Sequence, residues 1–424
     1  MADSLKLPAT DEGLPGAGPI RRYDWFRNLW RKRRSAFAEQ ASRQQGAVVF
    51  FGDSITQGWG DNFRNQFPEL LAANRGISGD TTRGMLIRLA DDVLSLQPKA
   101  VVMLMGTNDL EEGASPDVIA ANIRLIIERL HAHNANLPVV LCNVFPSSTS
   151  KKRSAKDIKA INQLCAKLPL TFPQVRILDT WTLFANKQGD AKPEEFPDLL
   201  HPNDKGYAKW ATALRPQLVT AGVLAEPAAS RPLEDGAVAL FNGKDLTGWG
   251  FRVTPDAMRK SRARWQKNNP AAPPWPLIDE DVAFDGQTIT PNGRFAAMNG
   301  TLVVLAPPEG RRIEQLWTTR EFDEDFTLTL QFRALPNADS GVFIRGAQLQ
   351  CRDYALAGPY KDLQQYRPGQ WNELVIKVRG ESAHCTCNGE LLNADFRVPA
   401  SGPIGLEGDR GQIEYRFLQL KIDP

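Results

Sequence analysis

Val48 to Phe51 and Ala100 to Met105 are short apolar runs that stop abruptly at polar, glycine-containing turns, Gly52-Asp53-Ser54 and Gly106-Thr107-Asn108-Asp109. Runs this short and this apolar read as strands buried on both faces, the signature of a parallel sheet. A weaker run, Leu70 to Asn74, leads into a third such turn, Arg75-Gly76-Ile77-Ser78-Gly79-Asp80-Thr81-Thr82. Helical periodicity fills the gaps. It follows Thr82 to about Leu96, then runs from Ser115-Pro116-Asp117 to about Asn134 with Ile119, Ile123, Ile126, Ile127 and Leu130 on one face. Val139 to Asn143 and Val175 to Leu178 add strands; 154–168 and Asp204 to about Ala221 add helices. Alternation of this kind gives an α/β parallel sheet with helices on both faces. The carboxyl ends of its strands share one rim, where such sheets place their ligands.

Ser54 stands at the first of those strand ends. A serine there can cap the following helix or act as a nucleophile, and the second role needs a base to take its proton. Asp198-Leu199-Leu200-His201-Pro202 precedes the last helix. An Asp three residues before a His can fold back to orient the imidazole as a base for serine. A buried Asn108 amide at a neighbouring strand end must find a partner, and an oxyanion supplies one.

Residues 45–220 resemble the SGNH hydrolases, or GDSL esterases and lipases, in all four sequence blocks, with a flavodoxin-like sheet implied. The wording Gly-Ile-Ser-Gly-Asp-Thr-Thr-Arg at 76–83 is similar to the platelet-activating-factor-acetylhydrolase-like and carbohydrate-acetylesterase branches. The resemblance implies Ser54 as nucleophile, His201 as base and Asp198 as its partner. It implies an oxyanion hole formed by the N–H groups of Ser54 and Gly79 and the side chain of Asn108. No metal or organic cofactor is implied.

Residues 222–236 are rich in Pro, Ala and charge and read as a linker between a first domain at 21–221 and a second at 237–424. Beyond it the period changes. Phe326 to Arg333 alternates strictly, Trp371 to Arg379, Ser382 to Cys387 and Ile413 to Ile422 read as strands, and Asn388-Gly389 signals a hairpin. An antiparallel sandwich follows. Residues 255–295, Pro-rich and basic, read as an excursion outside the core. Leu240-Phe241-Asn242-Gly243-Lys244-Asp245-Leu246-Thr247-Gly248-Trp249, Asp339-Ser340-Gly341-Val342-Phe343-Ile344-Arg345-Gly346 and Gly402-Pro403-Ile404-Gly405-Leu406 resemble the concanavalin-like (jelly-roll) 3-keto-disaccharide hydrolases. Many relatives carry a Glu after the Arg-Gly turn, where this chain has Gln348-Leu349-Gln350. Gln cannot serve as a carboxylate acid or base. A carbohydrate-binding or architectural role is therefore expected, with Asp339, Arg345 and Asp353 either as polar contacts or as solvated loop charges.

Lys and Arg number 51 against 49 Asp and Glu, so no global charge attracts nucleic acid. The longest apolar runs are too short for a stable membrane span. Five Cys without regular spacing argue against a disulfide framework. Residues 21–45 carry many Arg and Lys with Trp25, Phe26, Leu29, Trp30 and Phe37 at helical spacing. Such a stretch binds nucleic acid or lipid, or packs its aromatic face and solvates its basic one; the latter is expected. Residues 1–20 read as a flexible start like that of a mature secreted or periplasmic chain. The expected function is a serine ester hydrolase that removes acetyl or other short acyl groups from carbohydrate. The competing readings are a lipid or aryl-ester hydrolase, if Trp25, Phe26 and Trp30 lie exposed beside Ser54, a bifunctional esterase and 3-keto-glycoside hydrolase, and a non-catalytic glycan-binding protein.

Overall fold

A computed structural model describes residues 5–225, 231–270, 274–352 and 359–423. It divides into two compact units, Met1–Ala225 and Glu226–Pro424.

The first unit opens with α1 (Asp24–Gln40) and continues β1 (Val48–Gly52), α2 (Ser54–Gly58), β2 (Ala72–Gly76), α3 (Thr82–Asp92), β3 (Ala100–Leu104) and α4 (Thr107–Glu111). Then come α5 (Pro116–His133), β4 (Val139–Cys142), α6 (Ala155–Cys165), β5 (Val175–Leu178), α7 (Thr180–Phe184) and α8 (Asp204–Thr220). The five strands form one parallel sheet in the order β2-β1-β3-β4-β5, the doubly wound arrangement whose switch point lies between β1 and β3. Successive strand residues point to opposite faces, so each apolar run serves two cores. Val49, Phe51, Val101 and Met103 pack with Met85, Leu89, Ile123 and Ile127 on one side. Val48, Phe50, Val102 and Leu104 pack with Trp59, Tyr207, Trp210 and Leu214 on the other.

Several expectations need correction. The second strand begins at Ala72, two residues later than the apolar run suggests, and α3 ends at Asp92 before a separate 3-10 turn at Leu94–Leu96. Phe26, Trp30 and Phe37 of α1 are buried around Ile77, as a packing helix requires. The basic face is not uniformly solvated, however: Arg34 is buried and its Nε meets both Asp92 carboxylate oxygens at 3.1 Å. The start of the chain is not loose over its described part. Asn122 exchanges hydrogen bonds with Ala17 N–H and C=O, Arg83 donates to Pro15 and Gly18 carbonyls, and Thr81 donates to that of Pro19. Residues 1–4 lie outside the described residues. Within the expected linker, Val223 and Leu224 are buried in the first unit's core, Arg231 pairs with Glu373, and 226–230 lie outside the described residues.

The second unit is an antiparallel sandwich. Its elements are β6 (Ala237–Ala239), β7 (Trp249–Phe251), α9 (Asp256–Asn268), β8 (Val282–Ala283), β9 (Phe295–Met298), β10 (Thr301–Val304) and β11 (Arg311–Phe322). They continue with β12 (Phe326–Ala334), β13 (Asp339–Ile344), β14 (Ala347–Arg352), β15 (Asn372–Arg379), β16 (Ser382–Cys387), β17 (Glu390–Arg397), β18 (Gly402–Arg410) and β19 (Ile413–Ile422). One sheet runs β17-β16-β15-β12-β19-β10-β9 with β6 beside β19; the other runs β14-β13-β18-β11-β7-β8. The inward residues of both, among them Leu328, Leu330, Leu374, Ile376, Leu406 and Leu420, form one core. The segment 255–295 is not outside it: Phe284 and Phe295 are fully buried there, and the remainder contains α9.

Candidate active site

Ser54 is placed by an obligatory glycine and a capping aspartate. A Cβ on Gly52 would stand 2.2 Å from Thr56 Oγ1 and 2.4 Å from Leu104 O, so only glycine lets β1 turn into α2 beside β3. Asp53 Oδ1 then accepts the Ile55 N–H at 2.9 Å. Asp53 is fully buried. Burial pushes its carboxyl up to about 6, against the Ile55 hydrogen bond and the charges of His201, Arg153 and Arg21.

His201 Nε2 lies 2.9 Å from Ser54 Oγ, and His201 Nδ1 lies 2.8 Å from Asp198 Oδ2. An ionised carboxylate only accepts hydrogen bonds, which places the ring proton on Nδ1 and leaves the Nε2 lone pair to receive the serine proton. Asp198 and His201 belong to one turn. Asp198 Oδ1 also accepts the N–H groups of Leu200, at 3.0 Å, and His201, at 2.7 Å, while Leu199 takes φ +61° to close the loop. Partial burial pushes the Asp198 carboxyl up, but these hydrogen bonds and the imidazole outweigh it and hold the group below the usual range.

Gly79 adopts φ +85°, a conformation suited to glycine, in the turn after β2. Asn108 occupies the first turn of α4, behind Gly106 at φ +115°. Its Nδ2 donates to Asp80 O at 2.9 Å, so Asn108 is tied to the residue next to Gly79. Two buried acids brace this pair of loops. Asp80 accepts Arg88 Nε at 2.7 Å, and Asp109 accepts the Thr82 N–H and hydroxyl. Burial raises Asp80 to about 7 despite Arg88, and Asp109 to about 6 despite Thr82. The side chains of Ser54, Asp198 and His201 are thus joined in one hydrogen-bonded chain, and Gly79 and Asn108 are linked through Asp80.

Three side chains around the site, Arg153, Glu111 and Arg21, escape a reading of the sequence. Arg153, the third of three consecutive basic residues, is buried and donates from Nη2 to Asn108 Oδ1 at 3.3 Å. Glu111 pairs with both Arg153 and Arg21. Trp25 is 52% exposed and stacks with Tyr23, and a Cβ at Gly79 would collide with Trp25 and Arg21. Phe26 and Trp30 are buried, so of the aromatic cluster Trp25 alone faces solvent here.

In the second unit Arg345 is neither a free contact nor a loop charge. It is buried and donates to the carbonyls of Gly380, Pro399 and Glu324. Asp339 pairs with Arg352 at 2.6 Å and Arg410 at 3.2 Å; Asp353 lies outside the described residues. Gln348 donates to Glu407, a buried carboxylate absent from any motif read in the sequence. Burial first, then Asp409 and Asp339, push Glu407 up to about 7. Near it, a cavity of about 400 Å³ is lined by Trp317, Phe343, Gln315, Met258 and Arg262 among others. Among the described residues no cluster of His, Cys, Asp and Glu is arranged to hold a metal ion, and no helix is long and apolar enough to cross a membrane.

Each unit matches a known protein family. Residues 50–209 match the GDSL-like lipase/acylhydrolase family, and residues 236–421 match the 3-keto-alpha-glucoside-1,2-lyase-like domain. The human platelet-activating factor acetylhydrolase IB subunit alpha2 is 28% identical over 183 residues, covering 42% of this chain and 79% of the relative. The alpha1 subunit from Pongo abelii is 27% identical over 193 residues, covering 45% and 83%. A GDSL-like lipase from Bacteroides thetaiotaomicron is 23% identical, covers 44% of this chain and 98% of its own, and superposes with a TM-score of 0.40. The first unit is a carboxylic ester hydrolase of the GDSL type, and the second is a β-sandwich.

Proposed function

We propose that the first unit removes acetyl groups from carbohydrate through an acyl-enzyme on Ser54. The observation that carries this reading is the chain Ser54 Oγ–His201 Nε2 at 2.9 Å and His201 Nδ1–Asp198 Oδ2 at 2.8 Å. His201 takes the serine proton as Oγ attacks the ester carbonyl, and the imidazolium so formed faces the Asp198 carboxylate. The carbonyl oxygen becomes an oxyanion facing the N–H groups of Ser54 and Gly79 and the Asn108 amide. Collapse expels the alcohol, which leaves with the proton from His201. Water, activated by the same histidine, then releases the acid and restores Ser54.

Acetyl is favoured because the relatives are named acetylhydrolases, and carbohydrate because the second unit matches a domain described by a glucoside substrate. The test is turnover of nitrophenyl esters of increasing acyl length alongside a panel of acetylated glycans. Acetate turned over far faster than octanoate, with acetate released from at least one glycan, is the expected result. Preference for octanoate would move the reading to lipid esters, for which the exposed Trp25 would supply an apolar contact.

A second reading adds chemistry on a sugar in the sandwich, and Glu407 favours it. A carboxyl raised to about 7, paired across β11 and β18 with Gln315 in the wall of the aromatic-lined cavity, exchanges protons readily near neutrality. It would stand in for the Glu that Gln348 replaces. On this reading Glu407→Gln abolishes turnover of a 3-keto-α-glucoside while Ser54→Ala leaves it intact; no turnover by the native chain would remove it.

A further inference from the structure

An asparagine serves an oxyanion in only one of its two amide orientations, because the flipped amide presents Oδ1, an acceptor, where a donor is needed. Two contacts choose the orientation of Asn108. Asp80 O accepts from Nδ2 at 2.9 Å, and Arg153 Nη2 donates to Oδ1 at 3.3 Å. Flipping the amide would set an oxygen against a carbonyl and an NH2 group against a guanidinium, and both bonds would be lost. One Nδ2 hydrogen is thereby committed to Asp80 and the other remains for a substrate oxygen.

Arg153 is itself fixed on every side. Its Nε donates to Thr107 O at 3.0 Å and Thr107 Oγ1 at 2.9 Å, its Nη1 to Lys151 O at 2.6 Å, and its Nη2 also to Glu111 Oε2 at 2.9 Å. Glu111 is shared with Arg21, whose Nε reaches Glu112 Oε1 at 2.6 Å. Burial pushes the Glu111 carboxyl up, but Arg153 and Arg21 outweigh it and hold the group below its usual range, so it stays ionised as their common counter-charge. A planar guanidinium spans Thr107, Asn108 and Glu111 at once; a lysine ammonium has neither the fork nor the reach.

We propose that Arg153 is a positioning residue for ester hydrolysis, a role that rests on Asn108 serving the oxyanion. It locks the Asn108 amide in the donating orientation, and the Glu111–Arg21 pair holds Arg153 in place. Arg153 contacts no reacting atom and acts on the oxyanion through Asn108. Because the oxyanion exists in the transition state and not in the bound ester, its loss falls on kcat and spares KM.

The test is a double-mutant cycle in the full chain, with p-nitrophenyl acetate as substrate and circular dichroism as the check on folding. Asn108→Ala by itself is expected to lower kcat by about 100- to 1,000-fold. Arg153→Met is expected to lower kcat by about tenfold to a hundredfold with KM changed less than about threefold, and to cost less than about threefold more once Asn108 is Ala. If the Arg153→Met loss is as large in the Asn108→Ala background as in the native one, Arg153 does not act through Asn108, and the proposal falls while the reading of Asn108 stands. A native kcat for Asn108→Ala removes the reading itself and the proposal with it. Should Arg153→Met not fold, Arg153→Lys takes its place in the cycle; no loss of kcat, or an equal loss in both backgrounds, overturns the proposal there too.

Discussion

Two acidic side chains, one from each unit, sit in opposite environments. Asp198 is half exposed, accepts three hydrogen bonds from its own turn, and is held below the usual carboxylate range. Glu407 is buried beside Asp409 and Asp339 and is raised to about 7. The first is suited to stay charged beside an imidazolium; the second is suited to gain or lose a proton. Depth of burial by itself therefore does not identify a site. Asp198 is the less buried of the two, yet it completes a chain to a nucleophile, whereas Glu407 meets amides and other acids.

The strongest way to break this contrast is at Ser54. Ser54→Ala is expected to reduce hydrolysis of p-nitrophenyl acetate by at least about a thousandfold without altering the melting temperature, since it removes a half-buried hydroxyl and no core volume. Residual activity of several per cent in a folded sample would show that the nucleophile lies elsewhere. Glu407→Gln probes the other side of the contrast by stability. The Glu407 pKa is higher in the folded state than in the unfolded chain. Its contribution is therefore fully present below about pH 4.5 and is lost as pH rises through about 7, a swing on the order of 3 kcal/mol. The variant should flatten the sandwich unit's denaturation midpoint between pH 5 and 8; parallel profiles for variant and native chain would refute the raised pKa. The smallest effect is expected from ending the chain at Ala225. The first unit has its own two-sided core, so hydrolysis of a small ester should stay within about twofold. A loss above about tenfold in a folded truncated protein would mean that the sandwich shapes the pocket.

What could be read from the sequence was whatever the local backbone dictates. Ser54, Gly79 and Asn108 stand at strand ends that glycines mark, and Asp198 and His201 share a turn short enough to see in the spacing. What could not be read depends on contacts between distant segments. Residues 5–20 look loose because nothing in them is periodic, yet Asn122, Arg83 and Thr81 capture their carbonyls from elsewhere in the fold. Phe284, in a run of acidic residues, and Phe295, after Pro291 and Arg294, lack the alternation that reveals a strand and still fill the sandwich core. Arg153 follows Lys151 and Lys152 and looks like part of a solvated basic run; its burial is decided by Thr107 and Glu111 more than forty residues earlier. Glu407 emerges only when β18 is set beside β13 and β14, which brings Gln348 to it.

The four-residue turn from Asp198 to His201 has a mechanical consequence. The acid and the base are carried on the same short piece of backbone and tied by the bonds from Asp198 to His201 N–H and Nδ1. They therefore travel together, and thermal motion of that loop cannot separate them without breaking both bonds. The triad has one adjustable joint, the gap between Nε2 and Oγ, bridging residues 147 positions apart in sequence. Any agent that slows the enzyme by loosening this corner, whether heat, denaturant or a substitution in the loop before α8, should open that single distance first and leave the carboxylate–imidazole unit intact.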